Sequence, residues 1–232
     1  MAESSKEAGA IGYSDAVAGM AENETTRNRQ LLERAVKSLN RHGFGAQWVE
    51  TEGEARDKVV EMIPAGVLVT VGGSRTIRQM GIIDALQALD IRVADHWQAG
   101  LTEDERNVIR RQQLNCGVFI SSSNAVTLDG FLVNIDGAGN RVAAMIMGAP
   151  MVILVAGVNK LARNVDEGLD RVRNVAAPLR AQSLNRDTPC VHTGLCSDCD
   201  SEERICGVVT ILERKLSYTD LRIVLVNQPL GF

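Results

Sequence analysis

The sequence predicts an α/β protein in which a mostly parallel sheet carries helices on both faces. Short apolar runs rich in β-branched residues are typical of strands buried on both faces, and two of them, residues 117–121 and 151–156, flank the middle of the chain. Helical patterns alternate with such runs, as βαβ units require. A chain of 232 residues is long enough for one such domain with a sizeable core.

The N-terminal part, residues 1–42, is predicted to be a tail and a helix ahead of the α/β domain of residues 43–232. Its tip, to about residue 13, is small and polar and predicts disorder. Residues 14–41 follow a helical pattern with an apolar stripe. The stripe consists of Leu32, Ala35, Val36 and Leu39. As an alternative, the more polar residues 15–29 form a separate helix that reaches across to a partner.

Strand and helix then alternate. Strands are predicted at residues 47–50, 67–71 and 91–94, and each is followed by a helix: one between residues 51 and 64, one after the turn at 72–74, and one over 102–113. Thr51 with Glu54 and Thr102 with Glu105 fit capping boxes. Later, one helical face begins at Val165 and is expected to stop near Pro178. Two strands, 208–212 and 221–226, follow a cysteine-rich loop at 188–206.

Composition excludes several functional classes. A net charge of −4 and few aromatic residues argue against binding to nucleic acid. The longest apolar stretch, residues 142–158, contains two glycines and a proline, so it predicts a helix end, a turn and a strand rather than a membrane span. The first residues lack a basic region followed by an apolar one, which predicts no export signal and a cytoplasmic protein.

Residues 121–160 include polar side chains that do not suit an apolar core. They are interleaved with glycines and lie between two predicted strands, where an open α/β sheet places its ligand crevice. The candidates here are Asn124, Thr127, Asp129, Asn134, Asp136, Gly137, Gly139, Asn140, Arg141, Asn159 and Lys160. The two Asp-Gly pairs, at 129–130 and 136–137, also predict hairpin turns. We expect that both turns form and that they also carry part of a ligand site.

The turn formed by Gly72, Gly73 and Ser74, followed by Arg75 and Thr76, joins a predicted strand to a helix. Free backbone N–H groups and a helix N-terminus favour an anion at such a turn. The spacing fits neither a P-loop nor the dinucleotide fingerprint, and a tight turn that binds nothing is the alternative.

Asp129 and Asp136 could form a carboxylate pair for acid–base catalysis or metal binding, although Asp before Gly is usually a turn residue. Arg141 and Lys160 offer cations for a carboxylate or phosphate. The alternatives are a helix cap and a solvated salt bridge.

Four cysteines, Cys190, Cys196, Cys199 and Cys206, are spaced C-x5-C-x2-C-x6-C. Such a set can close around zinc or an iron–sulfur cluster. The spacing matches no zinc or ferredoxin pattern closely, so unliganded thiols or a disulfide formed in air remain the alternatives. Candidate substitutes for one ligand are His192, Asp198 and Asp200, whereas Cys116 is predicted to be inert core.

Several segments together resemble the LUD domain family, the lactate-utilisation accessory family formerly described as a domain of unknown function. They are VTVGGSRT (69–76), SNAVTLDGFLVNIDGAGNRVAAMI (123–146), VAGVNKL (155–161), RVRNVAAPLRAQSLN (171–185), TPCVHTGLCSDCDSEERIC (188–206) and LVNQPLGF (225–232). The match extends over nearly the whole chain after the N-terminal helix.

The resemblance implies a three-layer fold like that of NagB, RpiA and the CoA transferases. It also implies an accessory role in L-lactate oxidation to pyruvate beside iron–sulfur oxidoreductase subunits. The glycine turn at 72–74, the polar positions of the central stretch, the Asn159–Lys160 pair and the four cysteines match the family's motifs. Residues 121–160 contain no Glu, which argues against the Glu-based acyl transfer of CoA transferases.

Three functions therefore remain open from the sequence. The first is an accessory subunit that binds a small hydroxy- or keto-carboxylate, or a related anion, and holds a cluster or metal, or docks on a partner, at the cysteine loop. The second is a stand-alone enzyme that uses Asp129 or Asp136. The third is a regulatory or scaffold protein with a structural zinc. Whether the chain is catalytic by itself, and whether it forms a homo-oligomer, is left undecided.

Overall fold

A six-stranded parallel sheet lies at the centre of the protein. The computed structural model describes residues 13–232, with side chains from Glu22 onward. Along it the strands are Gly45–Val49 (β1), Val69–Val71 (β2), Val93–Asp95 (β3), Val118–Ser121 (β4), Ala125–Thr127 (β5), Leu132–Asp136 (β6), Met151–Gly157 (β7), Leu161–Ala162 (β8), Val208–Leu212 (β9) and Asp220–Val226 (β10). The central sheet has the order β1-β10-β7-β4-β2-β3, and each of its pairings is parallel.

Helices cover both faces of this sheet. They are Tyr13–Arg41 (α1), Glu52–Glu61 (α2), Arg75–Gln79 (α3), Ile82–Ala88 (α4), Glu103–Gln112 (α5), Asn140–Ala143 (α6), Val165–Arg171 (α7), Ala177–Ser183 (α8) and Pro189–Thr193 (α9). On one face Leu32 of α1 packs in the same core cluster as Leu154 of β7. On the other, Val59 of α2 and Ile82 of α4 pack with Ile153. Successive β7 residues thus point to opposite layers, and the predicted α/β class is confirmed.

A second, four-stranded sheet, which the sequence analysis did not predict, has the order β8-β5-β6-β9. Strands β5 and β6 are antiparallel neighbours, as are β6 and β9, whereas β5 and β8 are parallel. Val126 of β5 and Leu132 of β6 belong to the core cluster that also holds α1. This sheet therefore joins the layer of α1 above the central sheet.

The N-terminal helix is a single element of 29 residues rather than two helices. Its predicted apolar stripe is confirmed, since Leu32, Ala35 and Leu39 are fully buried and Val36 is partly buried. The disordered tip that the sequence predicts lies, except for its last residue, outside the described residues. Within the described part of the chain, no helix has the length and apolar character needed to span a membrane.

The first Asp-Gly pair forms the predicted hairpin turn between β5 and β6, where Gly130 has a φ of +96°. Two features disfavour a side chain at this position. The φ angle is positive, and a Cβ would lie 2.7 Å from the carbonyl carbon of Ser38. The second pair is not a hairpin. Asp136 ends β6, and the chain turns into α6. The Asp136 carboxylate caps the first turn of this helix, because Val142 N donates to Asp136 Oδ2 over 3.1 Å.

The prediction that a helix stops near Pro178 is wrong. After α7 the chain makes a wider π-turn over Val172–Ala176 and continues as α8 to Ser183, with Pro178 at the start of α8. Proline disrupts a helix because it lacks an N–H and because its ring meets the preceding turn. The π-turn leaves that first turn of α8 free of the usual hydrogen bond, so the proline is tolerated.

The helix predicted after the glycine turn is also divided, into α3 and α4. Gly81 separates them with a φ of +63°, and nothing lies within 4 Å of the position of a Cβ there. Both pieces bury apolar side chains, Ile77 from α3 and Leu86 from α4. The break shortens α3 to five residues and leaves its N-terminal turn beside the carboxyl end of β2.

Candidate functional site

A cavity of about 330 Å³ lies where several strands end. The turn after β2 supplies Gly73 and Ser74, the end of β4 supplies Ser121 and Ser122, and Lys160 follows β7. Because these strands are parallel, their carboxyl ends meet at one edge of the sheet, the usual location of a ligand site in an α/β protein. The volume is at the lower end of the range of about 300–1,000 Å³ for ligand cavities.

Lys160 is the central cation of this cavity. Its ammonium Nζ donates to Thr76 Oγ1 and to Ser122 Oγ, each over 2.8 Å, and the residue is only 4% exposed. Within the described residues it forms no ion pair with a carboxylate. Burial, together with the charges of Arg171 and Arg141, lowers its pKa to about 7. An ammonium held by two neutral hydroxyls retains an unbalanced charge that an anion can neutralise.

Arg141 ties the second sheet to the floor of the cavity. Its Nη1 donates to Ser122 O and Asn134 Oδ1, and its Nη2 donates to Asn124 Oδ1 and Ile135 O, over 2.7 to 3.0 Å. All four acceptors are neutral, so they satisfy the guanidinium without cancelling its charge. Burial lowers the pKa of Arg141, and the negative charge of the nearby Asp136 partly opposes this shift.

One wall is built around Trp97, which follows β3. The guanidinium of Arg180, from α8, lies 4.9 Å from the centre of the Trp97 ring. Burial, chiefly, lowers the pKa of Arg180. This cation–π contact holds a positive charge beside the cavity. The face of the Trp97 ring restricts the guanidinium to one plane, so the Arg180 side chain has little conformational freedom.

Behind this wall a buried polar chain leads from His96 to Asn140. His96 Nδ1 lies 3.1 Å from Gln113 Nε2, and Gln113 Oε1 accepts from Asn140 Nδ2 over 2.8 Å. Burial first, and then the charge of Arg110, lowers the pKa of His96 to about 4. His96 is therefore neutral at physiological pH, and Gln113 fixes the positions of two groups that line the cavity.

The charge of the lining is strongly positive. Among the described residues the lining includes six cationic side chains and one acidic side chain, that of Asp136. The cationic residues are Arg75, Arg110, Arg141, Lys160, Arg180 and Arg186. Such an excess, in a concave and partly dry site, raises the local concentration of anions and favours a ligand with a carboxylate or phosphate group.

A second cavity, of about 160 Å³, is lined by all four clustered cysteines. Burial is the main cause that raises the pKa of Cys206; Arg204 opposes it, and the other three thiols add to it. Among the proposed substitute ligands, Asp198 lines this cavity, whereas His192 pairs with Asp187 at the surface. In the part of the chain with described side chains, no three His, Cys, Asp or Glu groups are placed closely enough to share one metal ion.

Comparison with known proteins gives the family. The model of the LUD domain matches residues 32–226. The chain belongs to the LUD domain family. A crystal structure of a DUF162 family protein from Deinococcus radiodurans is 13% identical, with a TM-score of 0.49 over 86% of this chain and 98% of that one. No curated protein sequence matches.

Most of the residues that the sequence singled out in this LUD domain line the cavity around Lys160. They are Gly73, Ser74, Thr76, Asn124, Asp136, Gly137, Asn140, Arg141 and Lys160. Asp129 is elsewhere, because its carboxylate accepts from Thr127 Oγ1 within the hairpin turn. The two aspartates are thus not both at the cavity, and Asp136 alone is placed to act on a ligand there.

Four further predicted residues support the site of the LUD domain without lining it. Asn134 accepts from Arg141, and Asn159 Oδ1 accepts from Leu230 N over 3.0 Å, which ties down the C-terminal segment. Gly139 begins α6 with a φ of +79°. A Cβ at Gly72 would lie 2.6 Å from Ser121 Oγ, so glycine allows β2 and β4 to end side by side.

Sequence reasoning missed His96, Trp97 and Arg180. His96 and Trp97 directly follow Asp95, the last residue of β3, so the rule that ligands bind at strand ends could have identified them. Neither periodicity nor a strand end identifies Arg180, although it lies in the segment 171–185 that carries the family resemblance. It lies on a helix that was expected to have ended, and only the continuation past Pro178 brings it to Trp97.

The fifth cysteine behaves as predicted. Cys116 is buried beside β4, where it accepts from Thr70 Oγ1 over 3.1 Å. Burial raises its pKa, so the thiol stays protonated and unreactive. It therefore provides a natural control for the four cysteines of the second cavity.

Proposed function

We propose that this LUD protein binds a small organic anion, a hydroxy- or keto-carboxylate or a phosphorylated relative, in the cavity around Lys160. The observation that carries the proposal is the buried Lys160 ammonium, which two hydroxyls hold and which no carboxylate among the described residues neutralises. A protein that buries a cation in this way loses solvation energy, and a bound anion restores it. The remaining cations of the lining act in the same direction.

The glycine turn supports the same ligand class. Ser74 caps α3 by accepting from Ile77 N over 3.4 Å, and Gly73 leaves room at the cavity wall, where a Cβ would meet the indole of Trp97. Thr76, in the first turn of this helix, holds Lys160. The turn therefore places small polar groups and a lysine at one point, which suits one carboxylate or phosphate group.

We further propose that the protein works as an accessory subunit in L-lactate oxidation, beside iron–sulfur oxidoreductase subunits. Its membership of the LUD family, whose name refers to lactate utilisation, supports this role. The anion would then be the substrate, the product or a related effector of that system. In this scheme the cysteine loop is the region that carries electrons or docks on the partner.

The test is isothermal titration calorimetry with L-lactate, pyruvate, inorganic phosphate and phospholactate. We expect at least one of them to bind, and we expect Lys160→Met to lower its affinity about tenfold or more, since a hydrogen bond to a charged group contributes about 1.5–3 kcal/mol. Lys58→Met is the matched control, because Lys58 is exposed and pairs with Glu61 on α2. The proposal fails if no anion binds, or if wild type and Lys160→Met bind it equally.

The partner role is tested separately. Full-length tagged protein, isolated from cells grown on lactate, should retain an iron–sulfur oxidoreductase. Isolation of the protein alone under mild conditions, with lactate oxidation unaffected when the gene is deleted, would contradict the accessory role while leaving anion binding intact.

Asp136 favours a second candidate, a stand-alone enzyme with acid–base chemistry. Its carboxylate lines the cavity among the cations, a position from which it could move a proton of a bound ligand. Turnover of a ligand by wild type, lost in Asp136→Asn with binding retained, would favour this function. Binding without any chemical change in the ligand would favour the accessory role.

A further inference from the structure

The loop that carries the cysteines lacks the apolar side chains that usually hold such a segment in place. From residue 194 to residue 207 the chain forms neither helix nor strand, and none of its side chains is fully buried. The partly buried ones are Cys196, Cys199, Ser201, Ile205 and Cys206. Thiols thus occupy most of the inward-facing positions. Ordered loops of this length without secondary structure are uncommon and usually functional, and most inward positions of this one supply sulfur.

The three thiols of this loop and Cys190, from α9, converge on one space. They line the cavity of about 160 Å³ together with apolar side chains, among them Val209. All four thiols of the cluster therefore border one shared space.

Donors to sulfur and to the loop backbone surround this space. Asp198 N donates to Cys196 Sγ over 3.5 Å, and Asp198 has a φ of +49°, a left-handed conformation that Asp adopts more readily than most residues. Arg204 Nη1 donates to Cys199 O over 2.5 Å, and its Nε donates to Cys206 O over 3.0 Å. The Asp198 N–H is thus directed at sulfur, whereas the Arg204 guanidinium holds backbone carbonyls of the loop.

We propose that Cys190, Cys196, Cys199 and Cys206 bind an iron–sulfur cluster. Four thiolates are the ligand set that such clusters take, and all four thiols line this one cavity. The proposal goes beyond anion binding and does not depend on it, because the two cavities use different side chains to hold their occupants.

The position of this cavity connects it to the anion site. Ile135 and Ala177 line both cavities, one from β6 and the other from α8. A cluster bound by the cysteines would therefore lie directly behind a wall of the anion cavity. We expect anion binding to alter the visible or electron paramagnetic resonance spectrum of the cluster, whereas a cluster remote from the ligand would not respond.

The test is purification and reconstitution of the full chain without oxygen, with ferrous iron and sulfide. We expect bound iron and sulfide, with a broad visible absorption that dithionite bleaches. Cys196→Ser should lose most of the iron, whereas Cys116→Ala should keep it, since Cys116 lies outside the cavity. Far-UV circular dichroism of each variant separates loss of the site from loss of the fold.

Two results would overturn the proposal. Stoichiometric zinc without sulfide would make the loop a structural zinc clamp. Four freely reactive thiols, with no iron retained after reconstitution, would remove the metal site altogether. Neither result affects anion binding, which calorimetry on the same preparations measures independently.

Discussion

The ammonium group of Lys160 lies 2.8 Å from the hydroxyl of Thr76, a residue 84 positions earlier in the chain. Thr76 belongs to α3, after the glycine turn, and Lys160 follows β7. The same Thr76 hydroxyl lies 3.3 Å from Leu230 O, so the C-terminal segment closes over this pair. Two motifs that the sequence presents far apart thus form one buried cationic centre.

The stability of the empty protein should depend on pH through Lys160. Burial lowers its pKa from the ordinary value of 10.5 to about 7, so between these values the unfolded chain holds a proton that the folded chain releases. The free energy of unfolding contributed by this group therefore rises as pH increases from about 7 toward 10.5. Urea unfolding across this range should show the increase in wild type, and Lys160→Met should lack it.

Anion binding should show the opposite pH dependence. An anion favours the protonated lysine, so binding takes up a proton and affinity should fall as pH rises above about 7. Calorimetry in two buffers with different ionisation enthalpies measures this uptake directly. Equal binding enthalpies in the two buffers would show that Lys160 does not change its protonation state.

Arg141→Lys should destabilise the fold although it keeps the charge. A lysine cannot reach the four acceptors that the guanidinium connects, and buried acceptors would lose their donors. We expect a loss of about 2–4 kcal/mol in the free energy of unfolding. Arg163→Lys, at an exposed pair with Glu167, is the control and should change stability by less than about 0.5 kcal/mol. Equal effects of the two variants would contradict a central role for Arg141.

Gly130→Ala should lower the free energy of unfolding more than Gly66→Ala does. Both glycines have positive φ, +96° and +77°, but a Cβ at Gly130 would meet the backbone of α1 at Ser38, whereas nothing lies within 4 Å of one at Gly66. We expect a cost of about 2–4 kcal/mol at Gly130, from strain and overlap, and of about 1 kcal/mol at Gly66 from strain alone. Thermal and urea unfolding of both variants test the close packing of the hairpin on α1.

Asp129→Asn and Asp136→Asn should differ in ligand binding. Asp129 lies in the hairpin turn outside the cavity, so its substitution should leave anion affinity unchanged. Asp136 contributes a negatively charged side chain to the cavity lining. Removing its charge should raise anion affinity several-fold, because it relieves about 1 kcal/mol of repulsion between this carboxylate and the anion. A fall in affinity at Asp136→Asn would instead mean that this carboxylate contacts the ligand.

The sequence alone determined the class of the fold. Residues 118–121, 151–157 and 220–226 are runs whose composition makes them buried strands in almost any context, and the α1 stripe of Leu32, Ala35 and Leu39 requires a core on one side. The polar positions at the carboxyl ends of these strands also followed from the sequence. Once the strands are parallel, their ends must meet, so a site there could be predicted before any contact was known.

Only the tertiary structure decided which residues share that site and how they are charged. Strands β5 and β8 have three and two residues, too few to show a periodic pattern, so the second sheet and its link to Arg141 depend on long-range pairing. Arg180 reaches Trp97 because a π-turn carries the helix past Pro178. The lowered pKa of Lys160 results from burial, and the free energy of a buried charge depends on every neighbour that excludes water, which a sequence read along the chain does not contain.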